Sequence, residues 1–187
     1  MRFDVVTLFP EIFSAVRDCG ITARARMRGL WSMNCWNPRD TATDLHRTID
    51  DRPFGGGPGM VMMAEPLAQT IDAVRASGNR GPILSFAPNG ARLTDARVRE
   101  IAAAKEPIVL VCGRYEGIDE RFLESYVDEV VSLGDFVLSG GELPACALID
   151  AVVRQLPGAI KDLSASDESF ATGLLDAPHY TLSLIHI

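Results

Sequence analysis

The amino-acid sequence predicts an α/β domain in which a mostly parallel sheet carries flanking helices. Short apolar runs alternate along the chain with segments of helical apolar spacing, and this order is typical of parallel sheets. Of the 187 residues, 47% are hydrophobic and 23% are charged, which excludes a disordered or fibrous chain. The length suits one compact domain, or one domain and the start of another.

The first strand is predicted in the largely apolar run at residues 1–9, and Pro10 starts the helix that follows. Two further strands are predicted at residues 83–86 and 107–112. Both runs are too short for helices, and the second is rich in β-branched residues, as central parallel strands are.

A helix is predicted between these two strands, because Thr94 can cap it and the apolar residues after Thr94 space out as one inward stripe. A fourth strand is predicted at residues 129–133. The mostly apolar segment 143–156 predicts a helix, which Pro157 and Gly158 stop. Residues 161–169 are small and polar and cannot bury a face, so they are interpreted as a linker that follows a domain of residues 1–160.

Composition also narrows the class of protein. No run of eighteen apolar residues and no basic-then-apolar leader is present, so we expect a cytoplasmic protein without a membrane contact. The four cysteines stand far apart without a C-x-x-C pair, and only three histidines accompany them. We therefore expect reduced, mostly buried thiols and neither a metal site nor a disulfide framework.

The net charge of −7 argues against binding of nucleic acid through a bulk positive field. Residues 1–52 hold eight Arg against seven Asp or Glu, whereas residues 53–187 hold ten basic against eighteen acidic residues. Any polyanion is thus expected to meet the N-terminal part, where Arg24, Arg26 and Arg28 stand close together. Solvated arginines on a helix face are the alternative interpretation.

Three glycine-dense loops stand out at residues 50–60, 113–121 and 134–144. The second and third directly follow predicted strands, and loops at the carboxyl ends of parallel strands form the ligand crevice of open α/β sheets. No G-x-G-x-x-G motif opens the first βα turn, and no P-loop motif occurs, which disfavours a dinucleotide or nucleoside-triphosphate fold. Tight turns without a ligand remain the alternative.

The loops also resemble the signature motifs of the bacterial tRNA (guanine-N1-)-methyltransferases that act at position 37. The matching stretches are residues 7–10, 50–60, 111–121, 134–145 and 169–176, so the resemblance spans roughly residues 1–181. It implies a SPOUT methyltransferase fold with a deep trefoil knot, a homodimer, a tRNA substrate and S-adenosylmethionine as cofactor. Knotted connections are rare, and periodicity alone could not predict one.

By motif match, the resemblance assigns the cofactor to the three predicted strand ends. Adenine would lie there among apolar side chains and backbone donors, in a pocket that needs few polar side chains. The implied cofactor-binding residues are Phe86, Ala87, Pro88, Gly113, Tyr115, Glu116, Leu133, Gly134, Asp135, Phe136, Val137, Leu138, Gly140, Gly141 and Pro144.

Methylation of guanine N1 requires a base that removes the N1 proton and a cation that stabilises the charge gathering on O6. Arg154 matches the catalytic arginine of the family; without the motif it would equally suit a helix C-terminus. The family places an aspartate just before the Ser-Phe pair, where this chain has Glu168. We assign the base to Glu168, with the preceding Asp167 as the alternative and a solvated linker carboxylate as the interpretation without a function.

The resemblance weakens at the C-terminus. Residues 170–187 are expected to begin a truncated tRNA-binding domain, in which residues 182–187 are unlike the family. The chain is accordingly expected to bind cofactor but to methylate tRNA poorly, because phosphate contacts dominate such affinities. Two other functions stay open: another SPOUT RNA methyltransferase, or a noncatalytic module that binds RNA or a small molecule.

Overall fold

The computed structural model describes residues 1–160, 169–170 and 175–181. Five strands of this part form one sheet in which every neighbouring pair is parallel, and two short strands form a separate antiparallel pair. The strands are β1 (Arg2–Val6), β2 (Ser32–Trp36), β3 (Asp50–Asp51), β4 (Val61–Met62), β5 (Ile83–Arg92), β6 (Ile108–Val111) and β7 (Glu129–Ser132). The large sheet has the order β2-β1-β6-β5-β7, so the predicted mostly parallel sheet is confirmed.

Helices cover both faces of the large sheet. They are α1 (Ser14–Arg17), α2 (Gly20–Met27), α3 (Ala64–Ala76), α4 (Asp95–Ala104), α5 (Glu120–Tyr126) and α6 (Glu142–Gln155). In β6, Ile108 and Leu110 pack into the core under α4 and α6, whereas Val109 and Val111 pack under α3 and α5. A strand buried on both faces is apolar throughout, because successive side chains point to opposite faces, and this explains why β6 was predictable.

Other elements also lie where the sequence predicts them. Pro10 opens a 3-10 turn over Pro10–Phe13 after β1. The hydroxyl of Thr94 accepts a hydrogen bond from the Arg97 amide at 3.3 Å and so caps α4. Helix α6 runs over Glu142–Gln155, one residue earlier at each end than predicted. The strand predicted at 83–86 continues to Arg92 through an irregularity between Phe86 and Ala91.

Strand β2 was not predicted. Its sequence, Ser-Met-Asn-Cys-Trp, has neither an apolar run nor a clean alternation, and as an edge strand it is only half-buried. Tertiary contacts hold it, because the side chains of Asn34 and Trp36 donate hydrogen bonds to the buried carboxylate of Asp4 at 3.1 and 2.8 Å.

All four cysteines are free thiols, but the expectation that they are mostly buried is wrong. Cys112 is buried, Cys35 and Cys146 are half-buried, and Cys19 is exposed just before α2. Burial raises the pKa of the Cys112 thiol well above its ordinary value and raises that of Cys146 to about 11, with the nearby Glu142 carboxylate adding to both effects.

Some predictions lie beyond the described residues. The interpreted linker, 161–169, falls outside them except for Ser169, and so do 171–174 and 182–187 of the segment expected to begin a further domain. The trefoil knot stays a prediction. None of the helices in the described ranges combines the length and the apolar content needed to span a membrane.

Candidate active site

A cavity of about 240 Å³ lies at the carboxyl edge of the large sheet. Three segments enclose it: residues 85–89 of β5, residues 113–118 after β6, and residues 130–141 within and after β7. This edge is where open parallel sheets bind their ligands. The prediction that the second and third glycine loops meet at one pocket is therefore confirmed.

The structure brings together all of the residues that the resemblance assigned to the cofactor except Asp135. Those that line the cavity are Phe86, Ala87, Pro88, Gly113, Tyr115, Glu116, Leu133, Gly134, Phe136, Val137, Leu138, Gly140, Gly141 and Pro144. Asp135 instead points to solvent, with 92% of its side chain exposed and its carboxylate 3.0 Å from the Arg92 guanidinium.

The wall of the cavity is mostly apolar, with Phe86, Leu133 and Leu138 among its members. Three charged residues also line it, the carboxylates Glu116 and Glu120 and the guanidinium of Arg114, so that acidic groups are in excess. Such a wall suits a flat heteroaromatic group with a positive charge attached, because the rings bury apolar area while carboxylates stabilise the cation.

Close backbone approach explains why glycine stands at Gly141. Its amide donates a hydrogen bond to the Gly113 carbonyl at 2.9 Å, which joins two walls of the cavity. A Cβ at this position would lie 2.8 Å from the Cα of Cys112. Because Cys112 Cα is a backbone atom, it could not move aside to relieve this clash.

Tyr115 is held in an unusual conformation at the mouth of the cavity. It has a φ of 61°, in the left-handed region that few residues other than glycine adopt. Its side chain reaches Asp50 and Arg39; partial burial raises the pKa of the Tyr115 phenol, and the Asp50 carboxylate adds to this rise while Arg39 opposes it. Strain of this kind persists where surrounding contacts hold the residue, as these do.

The first glycine loop packs against the second. The Glu116 amide donates a hydrogen bond to the Met60 carbonyl at 2.9 Å. A Cβ on Gly59, whose φ is 75°, would overlap the Glu116 side chain. Thus the loop at 50–60, which sequence analysis could not place relative to a strand end, lies beside the cavity.

Comparison with known proteins shows to which family this fold and its cavity belong. The family model described as tRNA (guanine-1)-methyltransferase TrmD matches residues 1–185. The chain belongs to this family.

Individual members resemble it along nearly its whole length. A tRNA (guanine-N(1)-)-methyltransferase of Thiobacillus denitrificans is 61% identical over 186 residues, which cover 97% of this chain and 78% of that protein. The tRNA (guanine-N(1)-)-methyltransferase of Pseudomonas syringae pv. tomato is 56% identical over 183 residues, which cover 97% of this chain and 73% of that protein. The crystal structure of the tRNA (m1G37) methyltransferase from Aquifex aeolicus superposes with a TM-score of 0.80 at 37% identity, covering all of this chain and 84% of that one. The α/β fold is therefore that of the tRNA (guanine-1)-methyltransferases.

Arg154, the predicted catalytic arginine of this family member, does not line the cavity. It lies in the last turn of α6, whereas Pro144, which does line the cavity, lies in the first turn. At the rise of an α-helix the two residues are about 15 Å apart along the axis. Glu168 and Asp167, the candidate bases, lie outside the described residues.

Sequence analysis gave no role to Thr7, Arg114 and Glu142, although all three stand in the matched motifs. The structure joins them: Glu142, fully buried, accepts a hydrogen bond from the Thr7 hydroxyl at 2.9 Å and lies 2.8 Å from Nε of Arg114. The sequence offered no local signal for this contact, because acidic residues are common in the first turn of a helix, as Glu65 and Asp95 are in α3 and α4. Among the residues that the structure describes, no group of three or more His, Cys, Asp or Glu is arranged to hold a metal ion.

Proposed function

We propose that this chain transfers a methyl group from S-adenosylmethionine to N1 of guanine 37 in tRNA. The observation that carries the proposal is the cavity at the carboxyl edge of the sheet, in a chain that belongs to the tRNA (guanine-1)-methyltransferase family along its length. The names of its relatives supply the reaction, and the Aquifex aeolicus structure supplies the position of the guanine. Because the proposed substrate is tRNA, we expect the protein to work in the cytoplasm.

The residues around the cavity fit the proposed cofactor. Apolar side chains such as Leu133 and Leu138 would hold the adenine, and the absence of side chains at Gly113 and Gly141 would leave room for its ring. Glu116 would face the positive charges of the methionine part. When bound, S-adenosylmethionine would supply a methyl group whose bond to the positively charged sulfur breaks in the transfer, with the electron pair left on sulfur as a neutral thioether.

The chain's own groups would then act on the guanine. Glu168, or Asp167 in its place, would take the proton from N1, so that the N1 electron pair becomes free to form the new bond to carbon. The guanidinium of Arg154 would stabilise the negative charge that gathers on O6 as the proton leaves. Binding that strengthens as this charge develops raises the rate of transfer rather than the affinity for tRNA.

A second copy of the chain would complete the site. Arg154 lies too far along α6 to reach a guanine held against Pro144 of the same chain, and a homodimer would let Arg154 of one copy serve the cavity of the other. Apolar side chains exposed near the cavity support an interface there: Phe136 is 55%, Val137 83% and Leu143 54% exposed. We propose this dimer together with a linker at 161–169, which would carry the base.

The N-terminal arginines are the proposed contact for tRNA phosphates. Arg24, Arg26 and Arg28 are exposed on and after α2, and Arg28 also donates a hydrogen bond to the Gly158 carbonyl at 2.8 Å, just past α6. They therefore lie on the side of the molecule where α6 ends and Arg154 stands. Segment 170–187 is proposed to lead into a tRNA-binding domain.

The decisive experiment is mass spectrometry of tRNA transcripts after incubation with the protein and S-adenosylmethionine. We expect one methyl group on guanine 37 of a transcript with guanine there, and none on a matched transcript with adenine at position 37. Methylation at a ribose, or on a ribosomal RNA fragment only, would instead support another RNA methyltransferase. Calorimetry that finds no binding of S-adenosylmethionine would refute the proposal.

A further inference from the structure

We propose that Glu142 is a positioning residue, which fixes Arg114 and thereby holds together the walls of the cofactor cavity. Glu142 does not itself line the cavity, whereas Arg114 does. The inference rests on the proposed function only for the identity of the ligand. The contacts that support it are all made within this chain.

The Glu142 carboxylate uses each oxygen for a different segment. Oε1 accepts the hydrogen bond from the Thr7 hydroxyl at 2.9 Å, just after β1. Oε2 lies 2.8 Å from Nε of Arg114, in the loop after β6. Glu142 is fully buried, so these groups replace the water that its charge would otherwise hold.

Arg114 extends the network to a third segment. Its Nη1 donates a hydrogen bond to the Ser139 carbonyl at 3.2 Å, in the loop after β7. Its guanidinium carbon lies 4.5 Å from the centre of the Phe9 ring, a cation–π contact. The buried Glu142–Arg114 pair therefore connects residues 7–9, the 113–118 loop and the 139–141 loop at the start of α6.

Gly140 lies directly over the ion pair of Arg114 and Glu142. A Cβ on Gly140 would lie 2.6 Å from Cδ of Arg114 and 2.7 Å from Oε2 of Glu142. Because the ion pair pins the arginine, the side chain could not swing away without losing its partner. The backbone of the third loop thus closes over the ion pair, with Gly140 in the cavity wall.

A buried ion pair adds little net stability compared with apolar packing, but it fixes geometry, and removal of one partner leaves an uncompensated charge. This distinguishes a positioning role from a merely structural one. If the carboxylate only supports the fold, its neutralisation should lower the free energy of unfolding and nothing else. If it positions Arg114, its neutralisation should also loosen the two loops that it joins and weaken ligand binding.

Glu142→Gln tests this difference, because it keeps the volume and an oxygen for Thr7 while it removes the charge. Asp4→Asn is the matched control: Asp4 is also fully buried and pairs with an arginine, Arg2, at 2.7 Å, but lies in β1 away from the cavity. Two measurements are made on the full chain: hydrogen exchange of residues 113–118 and 139–141 without ligand, and the affinity for S-adenosylmethionine by calorimetry.

We expect Glu142→Gln to speed exchange in both loops and to weaken S-adenosylmethionine binding about tenfold, because Arg114 would lose its buried ion-pair partner and with it a fixed position in the cavity wall. Asp4→Asn is expected to lower the unfolding midpoint and to leave loop exchange and affinity as in the wild type. If Glu142→Gln does not fold, Thr7→Val removes the hydroxyl that donates to Glu142 and that accepts from the Phe9 amide at 3.0 Å. It is expected to change the same loops in the same direction.

Unchanged loop exchange in the variant that folds would overturn the inference, and so would equal loosening of the loops in Asp4→Asn. A wild-type chain that binds no S-adenosylmethionine, while Glu142→Gln still loosens both loops selectively, would refute the proposed function but support the positioning role. The two proposals therefore fail independently.

Discussion

The amide of Gly141 and the carbonyl of Gly113 are joined by a hydrogen bond of 2.9 Å, which brings the end of one cavity loop against the start of another. This approach requires that Gly141 carry no side chain, because a Cβ there would lie 2.8 Å from the Cα of Cys112. The width of the cavity thus depends on a contact between backbones.

Gly141→Ala is therefore expected to open this junction and to weaken S-adenosylmethionine binding by at least about tenfold, because preorganised walls account for much of the affinity of such a pocket. Gly78→Ala is the control, since Gly78 has a φ of 97° but open space around its Cβ and does not line the cavity. The control should lose stability through backbone strain and keep its affinity. Calorimetry measures the affinity of both variants for S-adenosylmethionine. Equal affinities of the two variants would contradict the prediction.

Arg154→Ala is expected to lower the single-turnover rate of methyl transfer by roughly 10²–10³, with little change in the affinity for S-adenosylmethionine. The reason is that the guanidinium is assigned to a charge that develops only during the reaction. An unchanged rate at saturating cofactor and tRNA would remove Arg154 from the mechanism.

A mixture of two impaired variants tests whether two chains share each site. In a heterodimer of Arg154→Ala and Gly141→Ala chains, one of the two sites would combine an intact cavity with an intact arginine. With S-adenosylmethionine held well below its Kd for the Gly141→Ala cavity, random mixing in equal amounts should give about a quarter of the wild-type activity. Under the same conditions Arg154→Ala alone should stay nearly inactive, and Gly141→Ala alone should keep no more than about a tenth of the activity. Lack of any recovery, with heterodimers demonstrated by native mass spectrometry, would mean that each chain acts by itself.

Glu168→Gln is expected to reduce transfer more severely than Asp167→Asn, because we assign removal of the N1 proton to Glu168. Both substitutions change one carboxylate to an amide of the same size, so each serves as the control for the other. Single-turnover rates over a range of pH measure the effect. The opposite ranking would transfer the role of base to Asp167.

Asp4 makes a specific prediction about acid stability. Burial would raise the pKa of Asp4, but hydrogen bonds from Arg2, Asn79, Trp36 and Asn34 outweigh it, and the pKa is lowered from its ordinary value of 3.8. The folded chain thus binds this proton less readily than the unfolded chain. The resulting stability is present at neutral pH and is lost as the pH falls through the lowered pKa.

Asp4→Asn should accordingly lower the free energy of unfolding at neutral pH by about 1–3 kcal/mol and flatten its dependence on pH below about 4. Urea titrations at a series of acidic pH values measure both effects. A variant whose stability falls with acid as steeply as that of the wild type would show that other groups control this range.

The sequence by itself determined the α/β class, the positions of four strands along the chain and two of the loops that form the cavity. Central strands such as β6 are apolar on both faces, and glycine-rich loops after them mark the edge where a ligand binds; both signals are local and survive without the fold. The motifs are also long enough to indicate the family without the fold.

Only the tertiary structure decided which residues meet. Edge strand β2 carries no pattern of its own and depends on Asp4, a residue 30 positions away from Asn34. Thr7 and Glu142 are 135 positions apart, yet they share a hydrogen bond. Such relationships arise when packing brings distant segments together, and local sequence patterns carry no record of them.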